Sequence, residues 1–325
     1  MLGTRWGCLP LMVAAALVLT ALGWLGAGWV WGGPLKQDTA FIVADGSSLS
    51  GVAAKLERVG AIGSATAFKL RARIFGAGST IKAGEFKLPK HASMARILSI
   101  IASDDVLRRF VTVPEGMPSI MVYERLMANP SLTGSIEVPP EGSVLPDTYE
   151  IAKGESRQAV VLRMQAAMQR TLAELWVKRS PDTVAKTPAE ALALASIVEK
   201  ETGQPSERPM VAGLYSNRIR TGMQLQADPT IIYPITKGKP LGRRIRQSEI
   251  NAVNDYNTYS MFGLPKGPIT NPGKLAIAAV LNPAKTDALY MVADGSGGHA
   301  FAATLAEHNA NVQKWFTIRK DRGDF

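Results

Sequence analysis

The first regularity along the chain is an unbroken apolar run. From Trp6 to Leu35 there is no charged residue and no histidine. As a helix, Leu11 to Trp31 would span roughly 30 Å at about 1.5 Å per residue, enough to cross a bilayer. Gly32-Gly33-Pro34 then breaks the pattern. Spacing beyond it predicts a small unit over 39–104. Phe41-Ile42-Val43 reads as a strand. Leu49, Val52, Ala53 and Leu56 recur at helical spacing up to Gly60. A second helix covers 65–74, alternation over 80–88 suits a strand, and Ser93 can cap a helix through Ile101. The order is β-α-α-β-α, and Asp104-Asp105 marks its end.

The remainder, 105–325, alternates short apolar runs with Gly, Pro and Asn turns. Over 159–176, Val161, Met164, Ala167, Met168, Leu172 and Leu175 fall on one stripe, predicting an amphipathic helix. Thr187 is a candidate N-cap with Pro188 at the first helical position and Glu190 closing a capping box. Ala191 to Val198 carries no charge, so this helix is expected to be buried nearly all round. Glu199 closes it, on one face with Leu192, Ala195 and Ser196. Glu201 is turned about 200° from Glu199. Apolar surroundings and a helix C-terminus both raise a carboxyl pKa, which suits a general acid. The bland alternative is a solvated Glu-Lys-Glu cluster where the helix surfaces.

Composition narrows the class. The 325 residues carry a formal charge of +10, which suits an anionic partner. The single cysteine, Cys8, precludes an intrachain disulfide and a cysteine-based zinc finger. Three histidines show no metal-binding spacing, and no metal or other cofactor is expected. Lys237, Lys239, Arg243, Arg244 and Arg246 form a basic cluster, read as a solvated loop or a face toward lipid or cell-wall carboxylates rather than nucleic acid. Arg5 before the apolar run, and Lys36 with Asp38 after it, favour an N-terminus inside the cytoplasm. Trp24, Trp29 and Trp31 crowd the far end, as interfacial aromatics do. A cleaved signal peptide is the competing reading, although its apolar stretch normally runs only about 7–15 residues.

Several polar groups sit in turn-rich segments: Gln224 to Thr230, Asp255 to Tyr259, Gly263 to Gly273 and Gly297 to Phe301. Their Tyr, Asn, Gln and Thr side chains suit the hydroxyl and acetamido groups of a sugar polymer.

These motifs, in order, resemble those of the endolytic murein transglycosylases, the MltG/YceG-like family. The resemblance rests on Ala195-Ser-Ile-Val-Glu-Lys-Glu201, Asn217-Arg-Ile, Met223-Gln-Leu-Gln-Ala-Asp-Pro-Thr230, Tyr256-Asn-Thr-Tyr259, Gly263-Leu-Pro, Asn271-Pro-Gly273, His299-Ala-Phe301 and Glu307-His308. Val113-Pro-Glu-Gly116 and Glu141 to Tyr149 extend it upstream. Asn254-Asp255 and Ser143-Val144 depart from the family pattern.

The resemblance implies an α+β protein: a transmembrane helix with its flanks over 1–38, a LysM-like β-α-α-β subdomain over 39–104 and a catalytic domain over 105–325. It implies a lyase of the inner membrane, with the catalytic domain outside the cytoplasm. That enzyme would cut nascent peptidoglycan strands between N-acetylmuramic acid and N-acetylglucosamine, leaving 1,6-anhydro ends. Glu199 is the expected acid/base. Gln226, Asp228, Thr230, Tyr256, Asn257, Tyr259 and His299 are expected to bind sugar or support it. The partners implied are glycan strands, membrane lipid and membrane-bound peptidoglycan synthases, with no nucleic acid. The rivals are a hydrolytic muramidase, with Asp228 or another carboxylate activating water, and a non-catalytic cell-wall-binding scaffold of the division or elongation machinery.

Overall fold

The computed structural model describes residues 9–323, so Arg5, Trp6 and Cys8 lie outside the described residues. The chain divides between Arg108 and Arg109 into two compact units.

The first unit opens with α1 (Leu9–Val30), whose Met12–Val30 stretch is long and apolar enough to cross a membrane. Then come β1 (Thr39–Val43), α2 (Leu49–Arg58), α3 (Ala65–Phe75), β2 (Gly84–Leu88) and α4 (Met94–Ala102). The hydrophobic spacing thus placed the elements in the right order. Each short helix starts where a serine hydroxyl accepts a free backbone N–H: Ser48 from Gly51, Ser64 from Ala67 and Ser93 from Arg96. The second strand is shorter than its alternation suggested. Residues 80–83 stay outside it, and the Lys82 N–H donates to the Ile101 carbonyl at the end of α4 instead. β1 and β2 pair antiparallel, Thr39 opposite Leu88 and Val43 opposite Gly84. Phe41, Leu56, Phe68, Phe86, Ile97 and Ile101 fill the core between sheet and helices. Trp29 joins that core, whereas Trp24 and Trp31 stay exposed. One of the three tryptophans expected at a lipid interface is therefore a packing residue.

The second unit begins with β3 (Arg109–Val113), α5 (Ser119–Met127), β4 (Asp147–Ile151) and α6 (Arg157–Val177). β3 and β4 pair antiparallel, and with α5 and the start of α6 they enclose Val111, Val122, Leu126, Tyr149 and Met164. α7 (Pro188–Glu201) and α8 (Arg208–Arg220) follow, then α9 (Asp228–Thr236), the short α10 (Gln247–Ile250) and α11 (Lys274–Leu281). A hairpin of β5 (Tyr290–Ala293) and β6 (His299–Ala302) leads into α12 (Leu305–Arg322).

α7 is the central helix. Thr187 caps it by accepting from the Glu190 N–H, but Glu190 accepts from the Lys186 N–H, so the expected reciprocal box does not close. Every residue of α7 from Ala193 to Glu199 is buried, against α8, α11 and α6. That packing explains the uncharged sequence: a helix enclosed on all sides has no face for solvated side chains. At Gly213 a Cβ would stand 2.5 Å from the Ala284 carbonyl oxygen, so α8 can approach the segment leading to β5 only as glycine.

Candidate active site

Glu199 and Glu201 leave the end of α7 in different directions and meet different chemistry. The Glu199 side chain is only 4% exposed. Its Oε1 accepts from Arg208 Nη2 at 2.7 Å and its Oε2 from the Gly273 N–H at 2.8 Å. The same Arg208 nitrogen donates to Glu115 Oε2 at 2.7 Å. Glu115 belongs to the turn after β3, which the Gly116 N–H fastens to the Asn271 carbonyl at 3.0 Å. One guanidinium therefore ties together that turn, α7 and α8, while Gly273 adds the start of α11. Burial raises the Glu199 carboxyl pKa, with Gly273 and Arg208 working against it. Both Glu199 oxygens are already engaged.

Glu201 lines a polar cavity of about 370 Å³ with Lys200, Tyr215, Arg218, Gln226, Asp228 and Tyr259. Its Oε1 is buried and has no hydrogen-bond partner among the described residues. Burial pushes its pKa up to about 7, and the Asp228 charge adds to the rise. The Tyr215 hydroxyl and the Arg218 guanidinium act in the opposite direction. A carboxyl poised near neutrality beside open space can hold a proton and give it up. Of the two carboxyls at the end of α7, Glu201 and not the expected Glu199 lines this cavity. The rotation between them was foreseen; that the cavity lay on the Glu201 side was not.

Three of the expected supporting residues reach this cavity. Asp228 starts α9, and Tyr259 donates its hydroxyl to Asp228 Oδ1 at 2.6 Å. Gln226 sits beside them with a left-handed φ of 50°, and its N–H donates to the Thr258 carbonyl at 3.1 Å. Thr230 and Asn257 lie behind the cavity, fully buried. The Thr230 hydroxyl donates to the Ala227 carbonyl at 2.6 Å and is 2.8 Å from the Thr258 hydroxyl. Asn257 holds the Ile250 and Ala252 carbonyls at 2.9 and 2.6 Å. Both shape loops and have no surface for a sugar. Asn254, one of the departures from the family pattern, accepts from the Tyr256 and Asn257 N–H groups and closes that turn.

Tyr256 is placed elsewhere. It packs on Tyr233, ring centroids 4.8 Å apart, near Gly267. Gly267 belongs to a second, largely apolar hollow of about 290 Å³ that also holds Glu141. His299 is likewise outside the Glu201 cavity: its Nδ1 lies 2.8 Å from Glu207 Oε2, and its N–H donates to Oε1 at 2.7 Å. Burial alone would raise the Glu207 carboxyl. The His299 ring and backbone and the Thr202 hydroxyl outweigh it and hold the group below its ordinary value.

Sequence reasoning missed Arg218 and Tyr215. Arg218 is buried and donates to the Leu225 and Leu289 carbonyls, each at 2.7 Å, so it props the Gln226 loop from below. Its signal was present in the Asn217-Arg-Ile motif. In the basic cluster, Lys239 pairs with Glu124 and Arg243 with Glu249, so part of that charge is neutralised locally.

A model of the YceG-like family matches residues 41–314, most of the chain. The chain belongs to the YceG-like family. Among its relatives is the endolytic murein transglycosylase of Bacillus subtilis, 26% identical over 89% of both chains. The endolytic murein transglycosylase of Streptococcus pneumoniae is 34% identical over 53% of this YceG-like chain, a span covering 31% of the pneumococcal protein. A crystal structure of a yceG-like protein from Listeria monocytogenes aligns with a TM-score of 0.53 at 25% identity, covering 85% of this chain and 99% of that one.

Proposed function

We propose that this YceG-like protein is a membrane-anchored murein transglycosylase that cuts nascent glycan strands internally, between N-acetylmuramic acid and N-acetylglucosamine, and so limits their length. The observation that carries the reading is Glu201, a carboxyl poised near pH 7 in a polar cavity beside Asp228 and Tyr259. Family membership and the names of its relatives support the substrate. In the proposed reaction Glu201 protonates the glycosidic oxygen as its bond to C1 breaks. The resulting carboxylate then takes the proton of the muramyl C6 hydroxyl as that oxygen bonds to C1. The proton lost in the first step is regained in the second, and no water is consumed. Asp228, held by Tyr259, keeps the Glu201 proton in place before the reaction and supplies negative charge near the oxocarbenium-like centre during it. Gln226, which lines the same cavity, would contact the sugar.

A second reading keeps the same pocket. Asp228 is a second carboxylate there, so it could activate water and make the enzyme a hydrolytic muramidase. The Tyr259 hydroxyl already occupies one Asp228 oxygen, which favours the supporting role.

α1 supports a single-pass anchor in the inner membrane, with the N-terminus cytoplasmic and the chain beyond α1 outside. The β-α-α-β order of the first unit supports a LysM-like module. Anchoring would keep the cavity near strands emerging from membrane-bound synthases. Detergent-solubilised full-length protein should shorten uncrosslinked glycan strands through internal cuts, and a reporter fused after Phe325 should read as extracytoplasmic. Unchanged strand lengths would favour the scaffold reading, and a cytoplasmic reporter would overturn the topology.

A further inference from the structure

The end of α1 does not leave the first unit on a free tether. Arg71 of α3 donates its Nε to the Leu25 carbonyl at 3.1 Å, and its guanidinium lies 5.1 Å from the Trp24 ring centroid. Trp29 packs on Phe68 and Phe75 of α3, centroids 6.4 and 6.0 Å apart. Gly28 lets the two helices meet: a Cβ there would stand 2.1 Å from Arg71 Nη2. Leu25 lies five residues inside the end of the Met12–Val30 stretch, about 7 Å along a helix. An element touching α1 at that depth borders the layer in which α1 itself would be embedded.

The outer surface of α3 fits that position. At about 100° per residue, Ile74 and Leu70 follow Arg71 around one flank of the helix, away from the core side held by Phe68 and Ala72. Leu70 and Ile74 are each 50% exposed, and Phe75, beside Trp29, is 44% exposed. Three large apolar side chains on an eleven-residue helix are thus left uncovered next to the candidate span. The remaining flank carries Lys69 and Arg73, whose long stems can lie along apolar surface with their charges at phosphate level. From Lys36 to Arg108 the chain has eleven basic residues against six acidic.

We propose that α3 is an interfacial helix, and that the Leu70–Ile74–Phe75 face is seated in the outer headgroup and acyl boundary of a phospholipid bilayer beside α1. The proposal rests on the anchoring reading of α1. It makes the first unit a fixed base on the membrane rather than a body swinging on a linker, with its orientation set by two helices instead of one.

Depth measurement on the full-length protein in nanodiscs of zwitterionic and anionic phospholipid tests it. On a Cys8→Ser background, single cysteines at Thr20, Leu70, Ile74, Arg73 and Glu57 carry a nitroxide label. Each label is read by collision with oxygen, which concentrates in lipid, and with a water-soluble nickel chelate. All but Thr20 lie on the surface of the first unit, so labelling leaves its core intact. The ratio of oxygen to nickel collisions should be high at Thr20, Leu70 and Ile74, low at Glu57 and intermediate at Arg73. Nickel-accessible labels at Leu70 and Ile74 with a lipid-exposed label at Thr20 would overturn the α3 proposal alone. A nickel-accessible label at Thr20 would overturn the anchor, and the α3 proposal with it.

Discussion

Glu201→Gln is expected to lower strand cleavage by about 10²–10⁴-fold, the range a general acid/base contributes. The amide keeps the shape of the carboxyl but cannot pass a proton. Cleavage by the parent should fall as pH rises through about 7, where Glu201 loses the proton it must donate. Asp228→Asn removes a negative charge that raises the Glu201 pKa, so it should shift this limb to lower pH. The same substitution at Glu201 has a stability signature of opposite sign. An acid raised from 4.5 to about 7 on folding costs nothing below its unfolded value, and a growing penalty as pH climbs to the folded one. At about 1.4 kcal/mol per unit the full penalty is on the order of 3 kcal/mol. The melting temperature of Glu201→Gln relative to the parent should therefore rise between about pH 4.5 and pH 8. A carboxyl with no buried role would give a flat difference. Circular dichroism melts across that range, alongside cleavage rates, read both effects.

Arg208→Met is expected to be the most destabilising single change considered. The guanidinium is 7% exposed and is paired with the buried Glu199, itself 4% exposed. Removing one partner of such a pair leaves an uncompensated buried charge and typically costs about 3–5 kcal/mol. For a unit of this size that is on the order of 10 °C in Tm. Glu199→Gln in the Arg208→Met background should recover part of the loss, because a neutral amide needs no counter-charge. Glu199→Gln alone should leave cleavage per folded molecule far closer to the parent than Glu201→Gln does. Thermal melts of the two single variants and the double variant measure the coupling. Additive losses would mean that the pair does not act as a unit.

The contrast between these glutamates shows how far the sequence reaches. Apolar spacing, with Ser93 as a cap, was enough to order the first unit, because each of those helices is amphipathic over its own length. The run from Ala191 to Val198 was enough to mark α7 as a buried helix. Its periodicity gave the angle between Glu199 and Glu201 but not which of them meets open space. That depends on Asp228 and Tyr259, brought in from 27 and 58 residues downstream. Arg208 is closer in sequence, yet only the reversal between α7 and α8 carries it back to Glu199. The motif as a string holds both carboxyls and cannot rank them. Likewise the types of Asn257 and Thr230 suit either binding sugar hydroxyls or supporting the site, and the string does not choose between the two. Folded, Asn257 is spent on the Ile250 and Ala252 carbonyls, and Thr230 on the Ala227 carbonyl and the Thr258 hydroxyl.

The central claim is that Glu201 drives attack by the sugar's own C6 hydroxyl, and the new chain ends test it most directly. Uncrosslinked glycan strands digested by the full-length protein in heavy-oxygen water should yield ends one water lighter than hydrolytic ones. Those ends should be unlabelled and resistant to borohydride, and they should be lost with Glu201→Gln. Labelled, borohydride-reducible ends as the main product, or unlabelled anhydro ends formed at the parent rate by the Glu201 variant, would contradict it.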